Sequence, residues 1–251
     1  MSESPNPVAA AFSMLRALRV GKPAPLGDGE IDHADFGDVL DALRTNGIRG
    51  MGPHRDQIST YRTQLEGVDP DSLDGAAALA FWLNLYNAGA IDLAADAAGT
   101  DKSSVLRIPG AFTKPWATVA GETLSLSDIE HGKIRRFGDP RIHSALVCGS
   151  ASCPTLRYEP YVGAGLEAQL ESQMRSFLAN GGAVSDGSTV LLSRIFLWYG
   201  GDFVRPHRMP TWLPARKRTL LSSLSRWLDP STTDLPVAFQ SYDWGLACSI
   251  G

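Results

Sequence analysis

The chain has 251 residues, 43% of them hydrophobic, with a formal net charge of −4 at pH 7 and an isoelectric point near 5.7. A chain of this size can bury a substantial core. Acidic and basic residues are mixed along its length, so the charge does not favour nucleic acid or a membrane as a partner. Its three cysteines cannot form a fully paired disulfide framework, and reduced thiols are expected.

The N-terminal residues argue against export. They begin acidic, contain Pro5 and Pro7, and carry an apolar run that Arg16 and Arg19 interrupt. A signal peptide or a membrane span requires a longer apolar segment without charges. We therefore expect a soluble cytoplasmic protein.

Two parts are expected, an N-terminal arm at residues 1–30 and one domain at residues 31–251, because breaker residues separate them. In chain order, the pattern predicts helices at Ile31–Asn46, His54–Glu66, Asp74–Ala98 and Ser127–Phe137, a strand at Arg141–Cys148, a helix at Leu166–Leu178, a strand at Thr189–Leu192, helices at Ile195–Phe203 and Ala215–Leu228, and a strand at Val237–Tyr242. The expected fold class is α+β: a mostly helical single domain with a small, scattered β-sheet. A papain-like arrangement is one candidate.

Asn87 lies on the apolar stripe of the long helix, with Leu83 and Ala90, whereas Asn84 lies off it. An unpaired buried amide costs about 1–3 kcal/mol, so Asn87 should have a dedicated partner. It either ties the backbone of a neighbouring loop to the helix or supports a catalytic site. Both interpretations place this helix beneath the central motif.

Glu130 and His131 open the central motif. The run from Ser127 to Glu130 matches a capping box, in which the Glu130 side chain reaches back to the Ser127 amide. His131 falls one turn before Arg135, on the same helix face. Because other reactive side chains follow closely, His131 and Glu130 are also candidates for acid–base chemistry.

A histidine and two cysteines follow. In a regular strand His143 and Cys148 point to opposite faces, and Cys148 is expected to be a buried thiol. The small residues around Ser150 allow the chain to fold back and return Cys153 toward His143. Their amides suit an oxyanion site, and Pro154 places Cys153 at the start of a helical turn, which lowers a thiol pKa.

Two further features concern pairing and metal binding. Asp202, between Gly201 and Phe203, is placed to orient a histidine or to pair with Arg135 or Arg141. The spacing of the two histidines and two cysteines lacks a short CxxC element. We therefore predict no metal site and no cofactor, with a zinc-binding domain kept as an alternative.

Several motifs together resemble the bacterial and plant family called domain of unknown function 547. They are AFWLNLYNAGAI at 80–91, SLSDIEHGKIRR at 125–136, DPRIHSALVCGSASCPTLR at 139–157 and LSRIFLWYGGDF at 192–203. The resemblance extends over about residues 74–203 and implies an α+β fold. It implies a polar signature at Asn84, Asn87, Glu130, His131, Arg135, Arg141, His143, Cys148, Ser150, Cys153 and Pro154. The Glu-His and Cys-Pro elements look like those of a thiol hydrolase.

Two classes of function remain open. The first is a cysteine-dependent hydrolase or acyltransferase acting on a peptide or small amide substrate, with Cys153 as nucleophile and His143 or His131 as base. Glu130 or Asp202 would hold the imidazole, and the supporting residues would be Asn87, Arg135, Arg141, Cys148 and Ser150. The second is a non-catalytic protein-interaction module that contains a buried His/Cys polar network.

Overall fold

The computed structural model describes residues 15–251, in which helices predominate. They are α1 (Ala34–Asn46), α2 (Arg55–Glu66), α3 (Gly75–Gly99), the single turn α4 (Ile142–Ala145), α5 (Leu166–Phe177), α6 (Arg194–Val204) and α7 (Lys217–Leu224). Each predicted helix outside the central motif is present, with ends displaced by up to four residues. Among the described residues, no helix has both the length and the apolar character needed to cross a membrane.

The strands are short and form two separate sheets. They are β1 (Pro115–Val119), β2 (Glu122–Ser125), β3 (Ala183–Ser185), β4 (Val190–Leu192) and β5 (Val237–Phe239). β1 and β2 form an antiparallel hairpin, which the sequence did not predict. β4 is central in the second sheet, antiparallel to β3 and parallel to β5. The mostly helical α+β class with scattered strands is confirmed.

Helix α3 forms the centre of the larger core. Asp74 caps its N-terminus by accepting hydrogen bonds from the Ala76 and Ala77 amides at 2.7 and 2.8 Å. Every residue from Ala77 to Ile91 is buried, so the helix has no solvent face along these turns. A helix that is buried all round must satisfy its polar side chains inside the core.

The buried side chains of Asn84 and Asn87 are satisfied by hydrogen bonds to backbone groups. Asn87 Nδ2 donates to the Ala145 carbonyl at 3.0 Å, and its Oδ1 accepts from the Val147 amide at 3.1 Å. Asn84 makes the same two-point contact with Tyr161, at 2.8 and 3.0 Å. Asn87 therefore ties a loop to the helix, one of its two expected roles. Asn84, expected to lie off the buried stripe of the helix, is fully buried.

The predicted strand at Arg141–Cys148 is wrong. Residues Ile142–Ala145 form one helical turn, which begins after Asp139 Oδ1 accepts from the Arg141 amide at 2.9 Å. The following segment is extended, but it forms hydrogen bonds with the side-chain amide of Asn87 rather than with a neighbouring strand. Alternation of apolar residues misleads here because both sides of the segment are buried.

The predicted helix at Ser127–Phe137 is irregular, with a π-helical turn at Asp128–Lys133 followed by a 3₁₀ turn at Ile134–Phe137. The Ser127 side chain does not cap it, so the capping-box interpretation is wrong. Asp128 instead accepts from the amide and the hydroxyl of Ser125, at 3.0 and 2.6 Å. The Glu130 carboxylate is thereby free to bind elsewhere.

The arm predicted at residues 1–30 lies partly outside the described residues, as does its amphipathic piece, Val8–Val20. From residue 15 onward it is attached to the body of the protein. Arg136 donates to the Leu18 and Val20 carbonyls at 2.6 and 3.0 Å, and the Gly29 amide donates to the Ser72 carbonyl at 3.3 Å.

Gly89 lets the β1–β2 hairpin approach α3 closely, which leads to a stability prediction. A Cβ at Gly89 would lie 2.5 Å from Leu126 Cδ2 and 2.7 Å from the Trp116 ring. Gly89→Ala gains up to about 1 kcal/mol of helix propensity, but overpacking typically costs about 1–3 kcal/mol. We expect net destabilisation in urea unfolding. Gly75→Ala in the same helix meets nothing within 4 Å and should be neutral or stabilising.

Candidate active site

Two cysteines lie side by side in what we call the cysteine cluster, formed by Cys148, Ser150, Cys153 and Tyr242. The two sulfur atoms are 2.6 Å apart, and the Cys148 amide donates to Cys153 Sγ at 3.0 Å. Tyr242 Oη lies 3.4 Å from each sulfur. Ser150 Oγ lies 3.0 Å from Cys148 Sγ and 3.3 Å from Cys153 Sγ. Both cysteines are partly exposed.

A tight loop produces this arrangement. Gly149 has a φ of +75°, and a Cβ there would lie 2.9 Å from that of Ala94, so the turn requires glycine. The loop is held by the C-terminal segment: the Ala151 amide donates to the Gly245 carbonyl at 2.8 Å, and the Ser152 amide to the Asp243 carbonyl at 3.2 Å.

Two expectations about this loop are therefore wrong. The Ala151, Ser152 and Cys153 amides all donate to backbone carbonyls, so these three are not free to form an oxyanion site. The loop also returns Cys153 to Cys148 rather than to His143. The opposite-face argument assumed a regular strand, and the chain turns instead.

The protons of the cysteine cluster can be assigned from its donors. Ser150 donates to Tyr242 Oη at 3.0 Å, which leaves the phenol proton for a sulfur atom. Burial raises the pKa of Tyr242, so the phenol stays protonated. Burial alone would raise the pKa of Cys153, but its hydrogen bonding with Cys148, Ser150 and Tyr242 lowers it to about 6. Cys153 is thus a thiolate at neutral pH.

Cys148 and Cys248 behave differently. The hydrogen bond to Cys153, together with burial, raises the pKa of Cys148 well above that of an ordinary thiol. Burial raises the pKa of Cys248 to about 12. At pH 7 the cluster therefore contains one thiolate, Cys153, and one thiol, Cys148, which donates to it.

A second group, which we call the histidine cluster, contains Glu130, His131, Arg135, His143 and Asp202. Asp202 is fully buried and accepts from Arg135 Nε at 2.8 Å and Arg135 Nη2 at 3.0 Å. Its Oδ2 also lies 2.8 Å from His143 Nε2. Burial opposes ionisation of Asp202, but His143 and Arg135 hold its pKa well below the usual range.

His143 is neutral at pH 7, because burial lowers its pKa and the Asp202 carboxylate only partly offsets this. Its ring stacks on Tyr199 with the centroids 4.1 Å apart. Burial lowers the pKa of His131 to about 4 despite the nearby Glu130 carboxylate, 3.5 Å from Nδ1. Both histidines are therefore proton acceptors at neutral pH.

Glu130 accepts hydrogen bonds from two tyrosines, Tyr199 at 2.7 Å and Tyr86 at 3.2 Å. Burial opposes its ionisation, but attraction to His131 and the Tyr199 hydrogen bond lower its pKa. Burial and the Glu130 charge raise the pKa of both tyrosines, so they remain donors.

Tyr86 and Tyr199 interact electrostatically with both clusters. The interactions of Tyr86 with Cys148 and Cys153, and of Tyr199 with Cys148, contribute to the raised pKa of each phenol. Among the described residues, no hydrogen bond joins a cysteine sulfur to His131 or His143. The predicted cysteine and histidine candidates thus occupy two separate clusters.

Arg141 lies apart from the other candidates. It forms bidentate pairs with Asp139 and Glu167, each with a shortest distance of 2.6 Å. Asp202 pairs with Arg135 instead, which was one of its two predicted arginine partners. Within residues 15–251, no three His, Cys, Asp or Glu side chains are placed to hold a metal ion.

Three tyrosines of the site were not identified from the sequence. Tyr86 and Tyr199 lie inside the quoted motifs, where nothing in the sequence distinguishes them from aromatic residues of the core. Tyr242 belongs to the C-terminal segment and offered no local signal. It packs against Trp198 and Trp244, with ring centroids 4.9 and 4.6 Å away, beside the cysteine cluster.

A family model described as a protein of unknown function, DUF547, matches residues 70–178. This segment contains both cysteines and both histidines of the two clusters, whereas Tyr199, Asp202 and Tyr242 lie beyond it. No curated protein and no solved structure matches the chain. The papain-like arrangement stays a prediction.

Proposed function

We propose that this chain, which carries a DUF547 domain at residues 70–178, is a cysteine-dependent hydrolase or acyltransferase that acts on a peptide or amide bond. The observation that carries the proposal is the hydrogen bonding of Cys153 Sγ. This sulfur accepts a hydrogen bond from the Cys148 amide at 3.0 Å and lies 3.4 Å from Tyr242 Oη. Such donors stabilise a thiolate, the nucleophilic form of cysteine, so no base is required to activate it.

In the proposed reaction, the Cys153 thiolate attacks the acyl carbon of the substrate. A C–S bond forms, the C–N bond breaks, and the leaving amine takes a proton from water. Water then attacks the thioester, a C–O bond forms, and the C–S bond breaks to restore the thiolate. With an amine or alcohol in place of water, the same step is acyl transfer. Because the loop amides are occupied and Ser150 donates its proton to Tyr242, the oxyanion would be bound by the Tyr242 hydroxyl, whose proton leaves Cys153 Sγ as the thiolate charge passes to the substrate oxygen.

His143 is the proposed base for the attacking water. Its Nε2 is held by Asp202 at 2.8 Å, an arrangement that fixes ring orientation and tautomer. No hydrogen bond within residues 15–251 occupies its Nδ1. A neutral imidazole with one free nitrogen can take the proton that water loses. His131 would be the alternative base, and the Glu130 carboxylate would orient its imidazole ring.

The surroundings favour a peptide substrate. Trp198 is 41% exposed and packs with Tyr242 and Trp244 beside the thiols. Aromatic surfaces of this kind bind apolar side chains and peptide groups. All three cysteines are free thiols, which suits a cytoplasmic location.

The test is acylation with para-nitrophenyl acetate. We expect a stoichiometric burst of nitrophenol and an acetyl group on Cys153, located by peptide mapping. Because the thiolate reacts, the burst rate should rise with pH to a plateau, with a midpoint near the Cys153 pKa of about 6.

Two variants distinguish this proposal from its alternatives. Cys248→Ser should behave like the wild type, whereas Cys153→Ser should lose the burst and keep the melting temperature. A non-catalytic module or a structural zinc site predicts no burst in the wild type. A burst that persists in Cys153→Ser would assign the reaction to another residue.

A further inference from the structure

The acyl chemistry proposed above does not use the second thiol of the cysteine cluster. Cys148 Sγ lies 2.6 Å from Cys153 Sγ, although the two residues are five positions apart in the chain. A disulfide bond has a length of about 2.05 Å, so the two sulfurs need little movement to bond. A nucleophile with an unused thiol at this distance matches an attacking and resolving pair.

We propose that Cys153 and Cys148 form a redox-active dithiol that reduces a low-molecular-weight disulfide, with Cys153 as attacking thiol and Cys148 as resolving thiol. Three features of the geometry support these roles. The Cys148 amide and the Tyr242 phenol donate to Cys153, the thiol of Cys148 faces it directly, and both residues are partly exposed. The raised pKa of Cys148 keeps its proton in place until the first step has occurred.

The reaction balances in two exchanges. The Cys153 thiolate attacks one sulfur of the substrate disulfide, forms a mixed disulfide and releases the other half as a thiolate. Cys148 then loses its proton, which the released thiolate accepts, and attacks Cys153 Sγ. The internal disulfide forms, and the second half of the substrate leaves as a thiolate that takes a proton from water. Overall the protein is oxidised by two electrons and two substrate thiols form; a low-molecular-weight thiol such as reduced glutathione restores the dithiol.

The internal disulfide has a consequence for the acyl chemistry. It consumes the Cys153 thiolate, so the oxidised protein cannot be acylated. The redox reaction itself needs neither a base nor an oxyanion site. It can therefore proceed if the proposed hydrolase activity is absent, and acylation can proceed if the pair does not exchange.

The test uses the reduced full-length protein, oxidised glutathione at pH 7, and acid quenching followed by intact mass and peptide mapping. The wild type should lose two free thiols, gain a Cys148–Cys153 disulfide and retain no glutathione. Cys148→Ser should accumulate one glutathione on Cys153, because no resolving thiol remains. Cys153→Ser should react several-fold more slowly, since the remaining thiol is mostly protonated. Cys248→Ser is the matched control and should follow the wild type.

Reduced glutathione should then return the oxidised wild type to the free dithiol. A wild type that keeps glutathione, or stays unmodified while the Cys148→Ser variant also fails to react, would overturn the proposal. Equal rates for Cys148→Ser and Cys153→Ser would overturn the assignment of roles. Acylation by para-nitrophenyl acetate, measured on the same reduced samples, reports on the hydrolase proposal separately.

Discussion

Replacing Asp202 by alanine should lower the free energy of unfolding by about 3–5 kcal/mol, the usual cost of breaking a buried ion pair from one side. Asp202 is fully buried. Its carboxylate accepts hydrogen bonds from Nε and Nη2 of Arg135, from Nε2 of His143 and from the Thr211 amide. The variant leaves the Arg135 guanidinium, 1% exposed, without its bidentate carboxylate. Urea unfolding at pH 7 measures the loss.

Glu167→Ala is the matched control, because Glu167 also forms a bidentate pair with an arginine, Arg141, at 2.7 and 2.6 Å. Its side chain is 81% exposed, and exposed ion pairs contribute about 0–1 kcal/mol. Equal losses in the two variants would contradict the argument from burial.

The contribution of Asp202 to the free energy of unfolding should decrease in acid. Since folding lowers the pKa of Asp202, its stabilising contribution is fully present above the unfolded carboxyl value of about 3.9. That contribution is lost as the pH falls below this value. The difference between wild type and Asp202→Ala should therefore shrink in acid, and a difference that grew would contradict the ion-pair origin.

Helix α3 was predictable because its signals are local. Asp74 is a good N-cap, alanine and leucine favour helix, and the core position of Asn87 follows from 3.6-residue periodicity. The same sequence does not reveal that Asn84 is equally buried, since this depends on what packs on the other side. The β1–β2 hairpin was missed for a related reason: its residues lack strict alternation, and it is stabilised by packing on α3.

The central motif is where local reasoning failed. The apolar run around His143 fits a strand or a buried turn equally well, and the Asn87 amide takes the place of a strand partner. Once the strand was assumed, Cys148 and Cys153 were assigned to different faces. The Gly149 turn brings them together instead, and a positive φ cannot be read from a glycine alone.

Long-range contacts account for the rest of the site. The sequence supported both a capping and a catalytic interpretation of Glu130. In the structure the Ser127 side chain does not cap the helix, and the Glu130 carboxylate binds Tyr86 and Tyr199 instead. Tyr242 lies 92 residues from Ser150 in sequence and completes the cysteine cluster. Asp202 was identified as a partner for a histidine or an arginine, and the structure shows that it contacts one of each.

His143→Ala should lower steady-state hydrolysis of para-nitrophenyl acetate by about 10²–10⁴-fold, the usual contribution of a positioned base. The thiolate forms without His143, so the nitrophenol burst should keep its amplitude and rate. The acetyl group should then persist on Cys153, because water lacks a proton acceptor. Burst amplitude and steady-state rate, measured in one stopped-flow experiment, separate the two steps.

His131→Ala is the control, because the His131 side chain is also largely enclosed, at 14% exposure against 2% for His143, but is not held by a carboxylate hydrogen bond within the described residues. Its Nδ1 lies 3.5 Å from Glu130 and 3.3 Å from Arg135 Nη1. We expect a much smaller loss of turnover than in His143→Ala. The stability of His143→Ala should fall less than that of Asp202→Ala, since Asp202 keeps both bonds to Arg135.

A structural role for His143 would give a different pattern from a base. Misplacing the neighbouring groups would weaken the burst and the turnover together, and the turnover would keep its pH dependence. As a base, neutral His143 gives the wild-type turnover an additional fall in acid, below the usual imidazole value of 6.5, because burial lowers its pKa. That additional fall should be absent in His143→Ala. Its persistence in the variant, or turnover at the wild-type rate, would assign the base to another residue.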